Sequence, residues 1–119
     1  MACQETGTVA VVRLAAEIDL TNSERACGQL DVAVACGAAV VVADLTPTRF
    51  CDCASLRRLL AVQQRAASCG VQLRFVVPSG SPVRRLADLT GLDEPLHIYP
   101  SMREATAWLR RPGIRVQAG

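Results

Sequence analysis

The sequence predicts an α/β domain in which helices cover a small sheet, and three observations carry that prediction. Strand-like runs alternate along the chain with segments of helical spacing, the arrangement of strand–helix–strand units. The run Ala38 to Ala43 is apolar throughout, as in a strand buried on both faces by helices. Half of the residues are hydrophobic but only 3% are aromatic, so the core must be built from Val, Leu, Ile and Ala. A chain of 119 residues is one domain's worth, which excludes a two-domain enzyme, and its apolar content excludes disorder.

Each element has its own signal. Thr8 to Ile18 carries β-branched residues at Thr8, Val9, Val11 and Val12 and reads as the first strand, closed by the polar cluster Asp19, Thr21, Asn22 and Ser23. Asn22 or Ser23 can cap a helix in which Ala26, Leu30 and Val34 share a face and which Gly37 stops. Ala38 to Ala43 is the central strand, and Asp44 to Phe50 a loop. Asp52 is a good N-cap for a helix containing Leu56, Leu59, Leu60 and Val62, closed by Gly70. Val71 to Val77 is a strand broken by Pro78; Pro82 opens a helix through Val83, Leu86 and Leu89 that Gly91 closes. Leu96 to Tyr99 is a short strand. Ser101 caps a last helix through Met102, Ala105, Trp108 and Leu109, and Pro112 and Gly113 end the order before a short flexible C-terminal tail. The expected domain core is about residues 8 to 110. Right-handed crossovers place most helices on one face of a small mixed sheet of about four to five strands with about four helices.

Composition excludes several functions. All 13 basic residues are Arg, balanced by 11 acids to a net charge of +2, so there is no nucleic-acid footprint. The longest apolar run, Val32 to Ala43, is interrupted by Gly37 and far short of the ~20 residues of a membrane span. The first residues lack the basic and apolar regions of a signal peptide, so the expected location is the cytoplasm, with the six cysteines reduced. Neither a paired-cysteine motif nor a Cys/His cluster offers a metal site, and no glycine-rich loop offers a nucleotide site. No cofactor is expected. His97, the sole histidine, reads as a partly buried structural residue, and the acids Glu17, Asp19, Asp93 and Glu94 as solvated loop groups. The chain is not expected to be an enzyme.

The informative stretch is Val40 to Leu60, VVVADLTPTRFCDCASLRRLL. It resembles the STAS domain family (sulfate transporter and anti-sigma factor antagonist), whose soluble members read roughly V-V-[LV]-D-L-[ST]-x-[VL]-x-[FY]-[ILMC]-D-S-[ST]-G-[LI] here. Asp44, Leu45, Thr46, Phe50, Cys51, Asp52 and Leu56 match. The family's G-E-[IL]-D is similar to Ala16 to Asp19, its L-T-G-L-D is Leu89 to Asp93 unchanged, and its closing P-S-x-x-E-A resembles Pro100, Ser101, Glu104 and Ala105. The resemblance runs from about Thr8 to Leu109. It implies a binding module of bacterial partner switching, an anti-sigma factor antagonist that docks on a serine kinase/anti-sigma factor, a histidine-kinase-like ATPase. Phosphate on the first Ser of D-S-[ST]-G breaks that docking. A helix N-terminus suits such a switch, because a phosphate there changes charge strongly at the centre of an interface.

The chain departs from the family at this place. Asp52 is retained, but Cys53 and Ala54 replace the two hydroxyl residues and Ser55 replaces the Gly. Cys53 reads as a serine-sized residue filling the same space, or as the centre of a thiol-based redox or ligand sensor, since a helix N-terminus favours a thiolate while the Asp52 charge opposes it. Ser55 lies two positions on, about 200° around the helix, and is expected to point elsewhere. Asp52, Cys53, Ala54 and Ser55 are thus the expected switch and partner motif, with Cys53 to Ser55 exposed beside the Asp19 turn. Asp19, Thr21, Arg49, Phe50, Arg57 and Arg58 are the nearby candidate interface.

Overall fold

The computed structural model describes residues 8–107 and 115–118. In chain order the elements are β1 (Thr8–Arg13), β2 (Glu17–Ile18), α1 (Ser23–Ala35), β3 (Val40–Asp44), β4 (Phe50–Cys51), α2 (Cys53–Ser68), β5 (Gln72–Val76), α3 (Pro82–Thr90), β6 (Ile98–Tyr99), α4 (Met102–Ala105) and β7 (Arg115–Ala118). The main sheet has the order β6-β5-β3-β1-β7, and β2 and β4 form a separate two-stranded sheet. The sheet, expected as mixed, is parallel at every described pairing. Each of its strands after β1 is reached through a helix, which delivers the chain back to the same end of the sheet.

That winding determines which face each helix covers. From β1 through β3 and β5 to β6 the chain steps in one direction, so right-handed crossovers put α1, α2 and α3 on one face. Their buried residues, among them Leu30, Leu56, Leu59, Val62, Val83 and Ala87, pack with the inward residues Ala10, Val12, Val41, Ala43, Leu73 and Phe75. The return from β6 to β7 reverses direction and carries α4 to the other face, where Ala105 joins Val9, Val40, Val42 and Val76 in a smaller core. All five residues of β3 are buried, as the apolar run requires. Arg74 of β5 lies on this second side, 5% exposed, donating to the Ala105 carbonyl oxygen at 2.7 Å and facing the Tyr99 ring.

Helix ends follow the sequence signals closely. Asp52 and Ser81 accept bonds from the backbone N–H groups of Ser55 and Arg84, and Gly70 and Gly91 follow their helices at φ +80° and +77°, a region an L side chain resists. Ala16 stands where the family has Gly, yet no non-glycine residue among those described has positive φ, so alanine is accommodated without strain.

Several expectations are corrected. The strand expected over Thr8 to Ile18 is two strands, because β1 ends where β3 runs out, at the pair Arg13 and Asp44; residues 14–16 then turn towards β2. Asn22 makes no capping bond: its side chain accepts from the Asp19 N–H and donates to the Glu17 carbonyl instead. His97 is exposed, and the structural role belongs to buried Gln63, which bonds the His97 N–H and the Pro95 carbonyl. The tail expected to be flexible supplies an edge strand, β7, alongside β1. Trp108, Leu109, Pro112 and Gly113 lie outside the described residues.

Candidate functional site

The candidate site is assembled at the carboxyl ends of β1 and β3, where loops of a parallel sheet ordinarily carry function. Backbone bonds tie the two loops together: Leu14 N–H to the Asp44 carbonyl at 3.0 Å, Arg49 N–H to that of Ala16 at 2.7 Å, and Asp52 N–H to that of Ile18 at 3.2 Å. The buried Thr48 hydroxyl donates to the Ala15 carbonyl at 2.7 Å. The parallel pairing of Ile18 with Cys51 brings the Asp19 turn beside the start of α2, and Arg58 donates to the Ser23 hydroxyl at 2.8 Å, joining α2 to α1.

Within this frame the motif residues separate. Asp52 is half-buried and its carboxylate accepts from the Ser55 N–H at 2.8 Å, satisfying one of the free donors at the helix start. Cys53 is half-buried and Ala54 is exposed. Ser55 is fully buried, so the expectation that Cys53 to Ser55 all lie on the surface fails at Ser55. The reason is helical geometry: the 200° offset that turns Ser55 away from Cys53 turns it into the core that Leu56, Leu59 and Val62 share. Its Oγ has no hydrogen-bond partner. Ser55 is therefore neither an accessible acceptor for phosphate nor a contact for a partner.

Asp19 and Thr21 form a tight turn, the Asp19 carboxylate accepting from both the hydroxyl and the N–H of Thr21. Those bonds, the hydroxyl's first, hold its carboxyl below the usual carboxylate range. Cys51 is buried beneath the motif; burial first, then the charge of Asp52, pushes its thiol up to about 12, which leaves it unreactive at neutral pH. Among the described residues no cluster of metal-ligating side chains occurs, and no helix is long and apolar enough to cross a membrane.

Of the nearby candidates, Thr21, Arg49, Phe50 and Arg57 are exposed, while exposed Arg58 is engaged with Ser23. Beside the motif, an open groove of about 810 Å³ runs between β4 and α3, with Arg49, Phe50, Arg85, Leu86 and Leu89 among its lining. Leu89, expected in the helix that Pro82 opens with Val83 and Leu86, is 79% exposed. At 3.6 residues per turn Leu86 lies about 60° from the buried Val83 and Leu89 about 120°, so a strict three-residue spacing carries Leu89 off the buried face.

A family model described as the STAS domain matches residues 1–105. No curated protein matches the chain. Among solved structures, an anti-sigma factor antagonist from Mycobacterium paratuberculosis is 26% identical, with TM-score 0.75 over 91% of this chain and 90% of that one. A sulfate transporter family protein from Wolinella succinogenes aligns over 86% and 84% with TM-score 0.72 at 17% identity. The phosphorylated form of the Bacillus cell fate determinant SpoIIAA aligns over 90% and 96% with TM-score 0.60 at 17% identity. With the family model spanning nearly the whole chain and the same α/β architecture in each of these structures, the chain belongs to the STAS domain family.

Proposed function

We propose that the chain is a non-enzymatic docking module of the anti-sigma factor antagonist type. It binds a serine-kinase anti-sigma factor of the histidine-kinase-like ATPase class in the cytoplasm, through the Asp19 turn and the first turn of α2, without a phosphorylation switch. The reading draws support from the M. paratuberculosis antagonist, and it needs no cofactor, metal, nucleic acid or membrane. One observation carries it: at the Asp52-capped start of α2, the two outward positions are a thiol and a methyl, Cys53 and Ala54, and the adjacent hydroxyl of Ser55 is buried. Phosphoryl transfer needs an oxygen nucleophile in line with the nucleotide, and none is offered there. Docking on such a partner is therefore not broken by phosphate at this turn. The thiol-sensor reading gains nothing from Cys51, whose buried thiol supplies no thiolate at neutral pH.

The test is incubation with the partner kinase and ATP, followed by intact-mass measurement and a binding assay. The expected result is a stable complex, an unchanged mass, and phosphate gained by Cys53→Ser. An Ala54→Glu variant should keep its fold and lose affinity, an acid in the first turn being compatible with the helix dipole. Phosphate found on residues 52–55 of the unmodified protein, or failure of the chain to bind any such ATPase, would overturn the proposal.

A further inference from the structure

The groove between β4 and α3 is chemically distinct from the motif beside it. Phe50 of β4 is 51% and Leu89 of α3 79% exposed, two large apolar side chains held in solvent, and half-buried Leu86 shares the lining with them. The charged groups around them differ in how they are engaged. The Asp88 carboxylate accepts from Arg84 at 3.0 Å, that of Asp52 caps α2, and that of Asp19 closes its own turn. Within the described residues the guanidinium groups of Arg49 and Arg85, which line the groove, make no hydrogen bond or ion pair, while the backbone N–H groups of these residues are bonded to the Ala16 and Ser81 carbonyls. Of the three charged residues in the groove's own lining, Arg49, Arg85 and Asp88, only Asp88 is acidic, and its charge is offset by the ion pair with Arg84, so the lining itself presents positive charge.

The walls also limit what can bind. Apolar groups standing at an open rim cannot enclose a small molecule, which ordinarily loses most of its surface on binding. The two-residue strand β4 is too short to template an added strand, whereas a helical wall facing a short strand suits an amphipathic helix laid in a groove. Exposed aromatic and arginine side chains are also the types that concentrate binding energy at protein interfaces.

We propose that this groove receives an acidic amphipathic helix of the protein partner, its apolar side chains seated on Phe50, Leu86 and Leu89 and its carboxylates meeting Arg49 and Arg85. The inference rests on the partner-docking function proposed above and names the chemistry of the docked segment. Because the groove is lined by residues other than Cys53 and Ala54, it offers contacts that the loss of the serine leaves intact.

The experiment uses the full chain and two helical peptides of about 18 residues, identical in their leucines but carrying Glu in one and Lys in the other. The Glu peptide is expected to bind with Kd below about 1 mM, to weaken as salt is raised, and to shift amide resonances of Phe50, Leu86 and Leu89. The Lys peptide should bind at least about tenfold more weakly, and Arg85→Glu should reverse that order. Leu89→Ser, at an exposed position that leaves the fold intact by circular dichroism, should weaken both peptides. Equal binding of the two peptides, no binding, or shifts elsewhere overturns the inference. The same variants tested on the partner ATPase separate it from the parent reading. A complex sensitive to Ala54→Glu but indifferent to Arg85→Glu and Leu89→Ser sinks the groove and keeps the docking, whereas absence of a wild-type complex sinks the docking itself.

Discussion

Replacing Ser55 by alanine should make the protein more stable. The Ser55 hydroxyl is fully buried in the first turn of α2 and lacks a hydrogen-bond partner. Such an orphaned group costs about 1–3 kcal/mol in lost hydration, which the substitution recovers. Against that stands the void left by one oxygen, close to a methyl in size, which costs about 1 kcal/mol. Alanine also has the better helix propensity, by a few tenths of a kcal/mol. The net expectation is a gain of about 1 kcal/mol, or a rise of roughly 3–5 °C in Tm for a domain of this size. Ser55→Gly restores the family's residue but forfeits about 1 kcal/mol of propensity relative to alanine, so it should fall near the parent. Urea unfolding followed by circular dichroism measures all three, with equal m-values as the check that the denatured state is unchanged. A Ser55→Ala variant less stable than the parent would show that the hydroxyl is bonded and that the burial argument is wrong.

Two further outcomes follow from neighbouring residues. Asp52→Ala removes the acceptor for the Ser55 N–H and should cost about 1 kcal/mol in the same unfolding assay, with Asp52→Ser recovering most of it. Cys51 should resist a maleimide at neutral pH while exposed Cys36 and Cys69 react quickly, as peptide mapping would show; labelling of Cys51 at their rate would contradict its burial. The sign of its pH dependence is fixed as well. The folded thiol titrates above its unfolded value, so its contribution is fully present below about pH 8.5 and is lost as pH rises towards about 12.

What the sequence revealed depended on whether a signal was local. The N-cap at Asp52, the stops at Gly70 and Gly91 and the buried run of β3 each reflect chemistry within a few residues, and each stands in the fold. The bend after Arg13 depends on where β3 ends, some 30 residues away, and β7 depends on pairing with β1 across the whole chain. No local pattern reports either. Asn22 and Arg58 illustrate the same limit in the site: both have the right chemistry for the roles expected of them, and both are taken by a competing partner, the 17–19 turn for one and Ser23 for the other. The capped helix start at Asp52 was readable, but the inward turn of Ser55 emerged only as an angular offset, and the groove not at all, because Phe50, expected at the surface, and Leu89, some 40 residues further on, are brought to one face only by the fold.

The bonds that align the two site loops run almost entirely between backbone groups, from Leu14, Arg49 and Asp52 to the carbonyls of Asp44, Ala16 and Ile18. A peptide N–H and a carbonyl are the same whatever side chain they carry. The shape of the surface is thus written in main chain, and the outward side chains at 53 and 54 are free of any duty to maintain it. On the docking function proposed above, exchanging them alters what the surface says to a partner while leaving the surface where it is, so a cysteine and a methyl can stand where the family has two hydroxyls without a compensating change elsewhere in the loops.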